Sequence, residues 1–271
     1  MQNRILLVSV LYNERLADTK TYTTLLQGGG TVVLIVENSP QPLNSKADLP
    51  ASWHYISFPD NPGLGAAYNY TADFARRHGY DWILLTDQDT AFPPGILEQY
   101  RSAVERHPSV KLFCPQVSIG PDRFMSPVPM NRYRCNIQRT APTGEISLSA
   151  YSVINSGMLI HVETFIQAGG YRPEVHLDFA DFQFIERFRK VSPKAFVIDA
   201  VCQQEFSNEV QTREQKLSRY RLFCQSLRNF VCDDCKNQKY LHRIVFRRAC
   251  SLAVSEKTFR PFRIFYTDYW V

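Results

Sequence analysis

The chain has 271 residues, of which 44% are hydrophobic, 13% aromatic and 21% charged. This composition is typical of a globular protein and excludes disordered, collagen-like and low-complexity chains. The net charge of +5 is concentrated in residues 213–271, which carry 13 basic and 5 acidic side chains. Because the rest of the chain is slightly acidic and no DNA- or RNA-binding motif accompanies the basic end, we expect no nucleic-acid partner.

Apolar runs near the start of the chain alternate with segments of helical periodicity, a pattern typical of βαβ units and a parallel sheet. The predicted strands cover residues 5–10, 32–37, 53–58, 82–86, 112–115, 152–161 and 195–199. Helices are predicted over residues 16–26, 66–78 and 95–107. The first five strands and their crossovers predict a doubly wound α/β layer.

The residue pattern changes along the chain in a way that predicts a main body followed by a C-terminal extension. Residues 118–149 contain several prolines and few periodic apolar residues, which predicts a long, partly irregular loop of the kind that often covers a site. Residues 213–230 and 236–254 predict two amphipathic helices, each with a basic face. We therefore expect an α/β body over residues 1–210 and a helical, basic and aromatic extension over residues 211–271.

No apolar run approaches the roughly 20 residues that a membrane-spanning helix needs. The first residues lead directly into a predicted strand and lack the features of a signal peptide. Seven scattered cysteines favour reduced thiols over a disulfide framework. These observations predict a cytoplasmic protein.

Polar residues follow each of the first four predicted strands, at the sheet edge where open α/β folds bind ligands. They are Tyr12 and Asn13, Glu37 and Asn38, Asn61, and Asp87, Gln88 and Asp89. Taken singly, each is better explained as part of a turn at a solvated strand end, because Asn and Asp favour turns.

Asp87 and Asp89 form the most specific pattern in this set. If the strand stays extended, alternation places both carboxylates on one side, where they can share Mg²⁺ or Mn²⁺. Such ions take their other ligands from water and phosphate oxygens, so the spacing predicts a site for a diphosphate.

Residues 61–69 read Asn-Pro-Gly-Leu-Gly-Ala-Ala-Tyr-Asn and open a predicted helix. Gly63 and Gly65 permit tight backbone turns, and a helix start with small residues favours the approach of an anion. The segment is not a GxGxxG dinucleotide loop, and the chain has no GxxxxGK[ST] loop. A nucleoside triphosphatase is therefore not expected.

In this order, the motifs resemble the nucleotide-sugar half of family 2 inverting glycosyltransferases, which have the GT-A fold. The Asp-Gln-Asp form is similar to the rhamnosyltransferase branch, which builds bacterial surface polysaccharides such as O-antigen. The resemblance continues through residues 155–160, 169–173, 177–181 and 219–229. It implies a Rossmann-like, mostly parallel central sheet with helices on both faces, a nucleotide-sugar half over residues 1–117 and an acceptor half over residues 118–210.

The resemblance also implies a role for particular side chains. The nucleotide-sugar site would comprise Tyr12, Asn13, Glu37, Asn38, Asn61, Gly65, Asn69, Asp87 and Gln88. Glu37 would contact the base where the family more often has Asp, Asp87 would hold the ribose or the metal, and Asp89 would bind the metal that bridges the diphosphate. Asp181 would be the general base that takes the proton of the acceptor hydroxyl.

The residues around Asp181 allow a second interpretation. Asp178 and Asp181 precede an amphipathic segment, so both could cap a helix and complement its dipole. The family also commonly has a histidine after the next strand, and here Gln204 or Glu205 is the candidate replacement.

Two other functions stay open at this point. A sugar nucleotidylyltransferase would need a glycine- and basic-rich loop after the first strand, where only Arg15 is present. A nucleotide- or carbohydrate-binding protein on a catalytically decayed GT-A scaffold is motivated by the missing histidine.

The resemblance implies transfer of rhamnose or another hexose from a dTDP- or UDP-linked donor to a glycan or lipid-linked acceptor. The basic extension predicts peripheral contact with anionic lipids at the inner face of the cell membrane, although solvated helix faces would look the same. The residues concerned are Arg243, Arg247, Arg248, Arg260 and Arg263 with Phe262, Phe265, Tyr266, Tyr269 and Trp270.

Overall fold

The structure, a computed structural model, describes residues 4–26, 31–130, 137–204, 212–231 and 235–271. Its strands are β1 (Ile5–Leu11), β2 (Val33–Glu37), β3 (His54–Ser57), β4 (Trp82–Asp87), β5 (Thr90–Ala91), β6 (Leu112–Ser118), β7 (Phe124–Ser126), β8 (Val128–Pro129), β9 (Gly144–Ser147), β10 (Tyr151–Ser152), β11 (Leu159–His161) and β12 (Lys194–Gln204). Its α-helices are α1 (Leu64–Arg77), α2 (Ile96–Arg106), α3 (Val162–Gln167), α4 (Ala180–Phe188), α5 (Arg213–Arg228), α6 (Cys235–Ser255) and α7 (Arg260–Ile264).

One mixed sheet organises the chain in the order β3-β2-β1-β4-β11-β6-β12-β5, with β7 added to β6 and β9 added to β12. Strands β3, β2, β1 and β4 are all parallel. β11 runs antiparallel to both of its neighbours, β4 and β6. The sheet therefore consists of a parallel N-terminal half joined to a mixed half through β11.

Two hydrophobic cores lie on opposite faces of this sheet. In β1, Leu6 and Val8 belong to the core that α1 covers, while Leu7 and Leu11 belong to the core that α2 covers. This alternation follows from the two-residue repeat of a strand, and burial on both faces explains why β1 and β2 are almost entirely apolar. The prediction of an α/β sheet with helices on both faces is confirmed.

The helix predicted over residues 16–26 is absent from the described part of that segment. It forms a 3-10 turn at Leu16–Asp18 and a π turn at Tyr22–Leu26. Threonine side chains compete for the backbone there: the Thr19 hydroxyl donates to the carbonyl of Leu16 at 2.8 Å, and that of Thr24 donates to Lys20 at 2.7 Å. Local hydroxyl bonds and β-branching thus prevent a regular helix.

The strand predicted over residues 152–161 is also interrupted. β10 ends at Ser152 and β11 begins at Leu159, because the intervening residues turn beside the end of β4. Gly157 has a φ of 78°, and a Cβ there would lie 2.7 Å from Pro115. The turn therefore requires glycine, and it brings Ser156 next to Asp87.

Strand β12 is longer than predicted, and its far end reaches the site. A register shift between Val197 and Val201 carries it on to Gln204, which pairs with Thr90 of β5. The predicted loop over residues 118–149 contains β7, β8 and β9, and residues 131–136 lie outside the described part.

The C-terminal helices share a core with the α/β body. Leu217 and Leu227 of α5, Val245 of α6 and the later residues Ile264 and Tyr269 all belong to the core on the α1 side of the sheet. The described residues of the predicted extension, which was expected over residues 211–271, are thus packed as part of the same body. Among the described helices, none combines the length and the apolar character needed to cross a bilayer.

Candidate functional site

A cavity of about 480 Å³ opens at the carboxyl ends of β1, β2 and β4. Seven of the residues predicted from the sequence line it: Tyr12, Asn38, Asn61, Asp87, Gln88, Asp89 and Gln204. The structure adds Gly63, His176, Leu177 and Arg219, among others. Its position is the one that the strand order of an open α/β sheet favours for a ligand.

Asp87, the last residue of β4, is held from two sides. The Tyr68 hydroxyl of α1 donates to its Oδ1 at 3.1 Å, and the Ser156 hydroxyl donates to its Oδ2 at 2.5 Å. Burial, with the charge of Asp89 as a second cause, raises the pKa of Asp87 to about 6. A nearby cation would relieve this unfavourable charge.

Asp89 follows in the turn between β4 and β5. Its two carboxylate oxygens accept from Nε2 of Gln204 at 3.2 and 3.3 Å, and burial raises its pKa. The amide oxygen of Gln204 is buried and has no hydrogen-bond partner in the described structure. Of the two predicted replacements for histidine, Gln204 therefore contacts Asp89, and Glu205 lies outside the described residues.

This donor set suits a hard divalent cation. Two carboxylates and an orphaned amide oxygen are the ligand types that Mg²⁺ and Mn²⁺ prefer. Within the described residues, no group of three or more His, Cys, Asp or Glu side chains lies close enough together to hold a metal. An ion at this position would thus depend on water and a ligand such as phosphate for its remaining bonds.

Tyr12, Asn13 and Gln88 form the rim of the cavity and its support. The backbone N–H of Tyr12 donates to Oε1 of Gln88 at 2.9 Å, which ties the end of β1 to the end of β4. Asn13 adopts a φ of 52°, and its N–H donates to the Ser39 hydroxyl at 2.7 Å. Asn13 does not line the cavity, whereas Tyr12 and Gln88 do.

Glu37 and Asn38, at the end of β2, are both buried, and of the two Asn38 lines the cavity. Glu37 is fully buried, and its carboxylate accepts from the Ser39 hydroxyl and from Nδ2 of Asn44 at 2.6 Å. It therefore organises the loop after β2, and a contact with a base would require these bonds to break. Asn38 is 4% exposed and lines the cavity with a buried Oδ1 that has no partner in the described structure.

Gly65 and Asn69 lie behind the cavity wall and are not among its lining residues. The Asn69 amide donates to the carbonyl of Tyr171 at 2.9 Å and accepts the Tyr171 N–H at 2.8 Å. A Cβ on Gly65 would lie 3.0 Å from that of Tyr171. Both residues join α1 to the loop after α3.

Gly63 is the glycine that lines the cavity. Its φ is 92°, and a Cβ there would be 2.6 Å from Nδ1 of His176.

Asp181 lies in the first turn of α4, and it does not line the cavity. Its Oδ1 accepts the N–H of Phe182 at 2.7 Å. Burial raises the pKa of Asp181 to about 7, and the negative charges of Asp87 and Asp178 contribute to the increase. Asp181 is therefore within electrostatic range of Asp87, although it is not part of the cavity lining.

Asp178 does not cap α4, which was one of the possibilities left open. It forms a bidentate ion pair with Arg219 of α5, at 2.5 and 2.8 Å. The N-cap residue, immediately before α4, is Phe179, with a φ of 65° and no side-chain cap. The role of Arg219 was missed from the sequence, although residues 177–181 and 219–229 both belong to the segments of the resemblance.

The basic and aromatic end of the chain is only partly exposed. Tyr266 and Trp270 are 60% and 61% exposed, whereas Tyr269 is buried and its hydroxyl bonds to His242. Arg260 is paired with Glu214, and Arg248 stacks on Phe223 at 4.2 Å. The predicted lipid-facing set is therefore divided between surface and interior.

Residues 33–166 match the sequence model of the family described as Glycosyl transferase family 2. No curated protein sequence matches the chain. The family match covers β2 to α3 and includes the Asp-Gln-Asp turn.

Solved structures share the fold at low sequence identity. GalNAc-T7 with UDP, GalNAc and Mn²⁺ is similar with a TM-score of 0.56 and 11% identity over 82% of this chain and 47% of that chain. S. aureus TarS 1-349 in complex with UDP gives 0.54 and 11% over 89% and 69%, and with UDP-GlcNAc 0.52 and 12% over 92% and 73%. The chain spans about half the length of the GalNAc-T7 chain. These similarities, with the family match, confirm the predicted GT-A fold.

Proposed function

We propose that this glycosyltransferase moves a hexose from a nucleotide-diphosphate donor with inversion at the anomeric carbon. The premise is the match of residues 33–166 to glycosyl transferase family 2. Rhamnose is the first candidate sugar, and a glycan or lipid-linked oligosaccharide of a bacterial surface polysaccharide is the candidate acceptor. The observation that carries the proposal is the cavity in which Asp87 and Asp89 meet at the carboxyl end of β4.

The nucleotide sugar would occupy the cavity with its diphosphate near the two aspartates. Asn38 supports this arrangement, because it lines the cavity and its buried Oδ1 has no hydrogen-bond partner in the described structure, which leaves an acceptor available for a donor group of a base or sugar. GalNAc-T7 and TarS were each solved with UDP, so a UDP-linked donor belongs beside a dTDP-linked one in any screen.

Asp87, Asp89 and the amide oxygen of Gln204 would hold Mg²⁺ or Mn²⁺. When bound, such an ion stabilises the negative charge that develops on a leaving diphosphate. The protein prepares the position: Tyr68 and Ser156 fix the Asp87 carboxylate, and Gln204 fixes that of Asp89. Neutralisation of the pair would favour the ionised form of both carboxylates.

Asp181 is the proposed general base for the acceptor hydroxyl. A carboxylate with a pKa of about 7 is a stronger base than an ordinary one and still ionises near neutral pH. To act, its side chain has to leave the N–H of Phe182 and reach the cavity, which requires a rearrangement at the start of α4 when the acceptor binds.

The test is a hydrolysis screen over a panel of UDP- and dTDP-linked sugars, with and without Mn²⁺. Slow transfer to water identifies the donor before the acceptor is known. We expect Asp89→Asn to lower the rate at least ~100-fold, because it removes charge from the proposed metal site. Asp73→Asn, an exposed control on α1, should leave the rate unchanged. A chain that processes no member of the panel and transfers no sugar contradicts the proposal.

A binding protein on a decayed scaffold is the second candidate, since Asp181 does not line the cavity and the family's usual histidine is missing, with Gln204 as its candidate replacement. Calorimetric titration of UDP with and without Mn²⁺, repeated on Asp89→Ala, separates the two. Metal-independent binding that this substitution leaves intact favours the binding protein. The nucleotidylyltransferase alternative has no support, because Arg15, its only basic candidate, does not line the cavity.

We further propose that the surface around Tyr266 and Trp270 contacts anionic headgroups, where aromatic rings and cations are both favoured. The test is association with phosphatidylglycerol vesicles. The double substitution Tyr266→Ala and Trp270→Ala should weaken it, and Leu43→Ser, at another exposed apolar residue, should not. Equal association of all three proteins contradicts the membrane contact.

A further inference from the structure

Arg219 of α5 reaches the cavity that contains Asp87 and Asp89, although it comes from the C-terminal part of the chain. We infer that Arg219 contacts the diphosphate of the donor, so that the C-terminal helices contribute a residue to substrate binding. This inference rests on the proposed function, because it needs a nucleotide diphosphate in the cavity.

The charge inside the cavity is the first argument. Among the described lining residues, Arg219 is the one side chain with a permanent positive charge, and it shares the cavity with the carboxylates of Asp87 and Asp89. One divalent cation would balance only those two carboxylates. A nucleoside diphosphate adds two or more negative charges, and Arg219 is the one permanently charged cation among the described lining residues that could balance them.

The geometry of the guanidinium is the second argument. Arg219 is held by a bidentate pair with Asp178, at 2.5 and 2.8 Å, and its side chain is 34% exposed. The fork of a guanidinium fits phosphate oxygens as well as carboxylate oxygens, so the group that binds Asp178 has the shape needed for a diphosphate. The pairing presents it at the cavity wall with limited freedom.

Arg248 of α6 would keep a positive charge near Asp178 if Arg219 moved from Asp178 toward a phosphate. It lies within electrostatic range of both Asp178 and Arg219 and is positioned by stacking on Phe223 at 4.2 Å. If Arg219 turns part of its fork toward a phosphate, Asp178 still has Arg248 as a neighbouring cation.

The experiment is calorimetric titration of the full chain with UDP, dTDP and uridine in Mg²⁺ buffer. For the diphosphate that the wild type binds, we expect Arg219→Ala to weaken affinity about 10- to 100-fold, the range for loss of a charged hydrogen bond. Arg219→Lys should give an intermediate loss, because it keeps the charge without the fork. Uridine affinity should change by less than about twofold, since uridine has no phosphate.

Arg221→Ala is the matched control. Arg221 lies on the same helix, pairs with Asp268 at 3.4 Å and does not line the cavity. The Arg221→Ala variant should bind the diphosphate with the affinity of the wild type. Thermal unfolding of each variant checks the fold, and Arg219→Lys carries the comparison if the alanine variant unfolds.

The double variant Asp178→Asn with Arg219→Ala distinguishes contact from an indirect effect. If Arg219 touches the phosphates, neutralising Asp178 does not restore affinity. Restored affinity means that the single variant acted only by exposing the charge of Asp178, and it overturns the inference. If the wild type binds a diphosphate and neither Arg219→Ala nor Arg219→Lys changes the affinity, the inference is overturned but the proposed function is not. If the wild type binds neither UDP nor dTDP, both the inference and the proposed function are overturned.

Discussion

Asp87, Asp89 and Asp181 share one physical property: burial raises the pKa of each. A buried carboxylate is costly when it is ionised without a cation, so these side chains destabilise the folded protein near neutral pH. Such groups are typical of functional sites, where a ligand supplies the missing charge. The site is thus expected to trade stability for binding.

The variant Asp181→Asn tests whether ionisation of this buried carboxylate lowers the stability of the fold. The pKa of Asp181 is about 7 in the fold against an ordinary 3.8, so its ionisation costs stability increasingly as the pH rises from the lower to the higher value. After allowance for solvent screening, we expect the asparagine variant to be more stable by about 1–3 kcal/mol above about pH 7, with the difference shrinking toward pH 4. Urea unfolding at several pH values measures it, and a difference that does not change with pH contradicts the burial argument.

The pH dependence of transfer follows from the same ionisation. A general base must be deprotonated, so the rate should rise from about pH 5 to about 7 and level off above, because the pKa of Asp181 is about 7. The measurement is the initial rate against pH at saturating donor and Mn²⁺. A flat profile over this range would show that a different group takes the proton.

At the residue scale, the sequence predicted best what local spacing determines. Asp87 and Asp89 share one cavity, as their spacing suggested, although Asp89 lies in the turn after β4 and not on an extended strand. Gly65 and Asn69 could not be placed in this way, because their partner Tyr171 lies 102 residues from Asn69 in the chain. Arg219 was missed for the same reason, since its role depends on a pair with Asp178 from another element.

At the scale of elements, the contact between α1 and the loop after α3 fixes one wall of the site. Asn69 alone makes both hydrogen bonds to the backbone of Tyr171, and the adjacent Gly170 leaves no room for a Cβ, which would lie 2.3 Å from Oδ1 of Asn69. Asn69 therefore binds the backbone of the loop, and Tyr68 of the same helix packs against the ring of Tyr171 with the ring centroids 5.2 Å apart.

Asn69→Ala should destabilise the protein by about 1–3 kcal/mol, because it leaves a buried backbone donor and acceptor without partners. Diphosphate affinity should change little, since Asn69 does not line the cavity. Urea unfolding and calorimetry measure the two quantities, with Asp73→Ala on the exposed face of α1 as the control. A large loss of affinity at unchanged stability would return Asn69 to the nucleotide pocket.

Element boundaries were predicted where apolar periodicity was strong, as in α2, predicted over 95–107 and found at Ile96–Arg106. Prediction failed where side chains compete with the backbone, as at Thr19 and Thr24, or where a single glycine allows a turn, as at Gly157. These local chemical choices do not change the hydrophobic pattern, which is why periodicity does not reveal them.

At the scale of the whole molecule, the C-terminal residues belong to the core. Deletion of residues 259–271 would remove the buried side chains of Ile264 and Tyr269, so we expect it to lower the free energy of unfolding by several kcal/mol. Thermal unfolding of the truncated chain measures the effect. A truncated protein as stable as the full chain contradicts the shared core, and loss of vesicle binding on truncation is no test of membrane contact.

The overall architecture followed from the sequence because βαβ order, strand burial and polar strand ends all pointed to one class of sheet. The position of β11 did not, because an antiparallel strand inserted between two others has no local signature. Its pairing with β4 depends on residues separated by about 75 positions, as in the register of Leu159 with Leu84.

This insertion has a consequence for biosynthesis. β4, which ends in the site carboxylate Asp87, pairs on one side with β1, which precedes it in the chain, and on the other with β11, which follows it. While a ribosome is still making the chain, the β11 side of β4 stays unpaired until Leu159 to His161 have emerged from the exit tunnel. Nascent intermediates shorter than that present an apolar edge to other growing chains, and they are the stage at which a chaperone would protect this protein from aggregation.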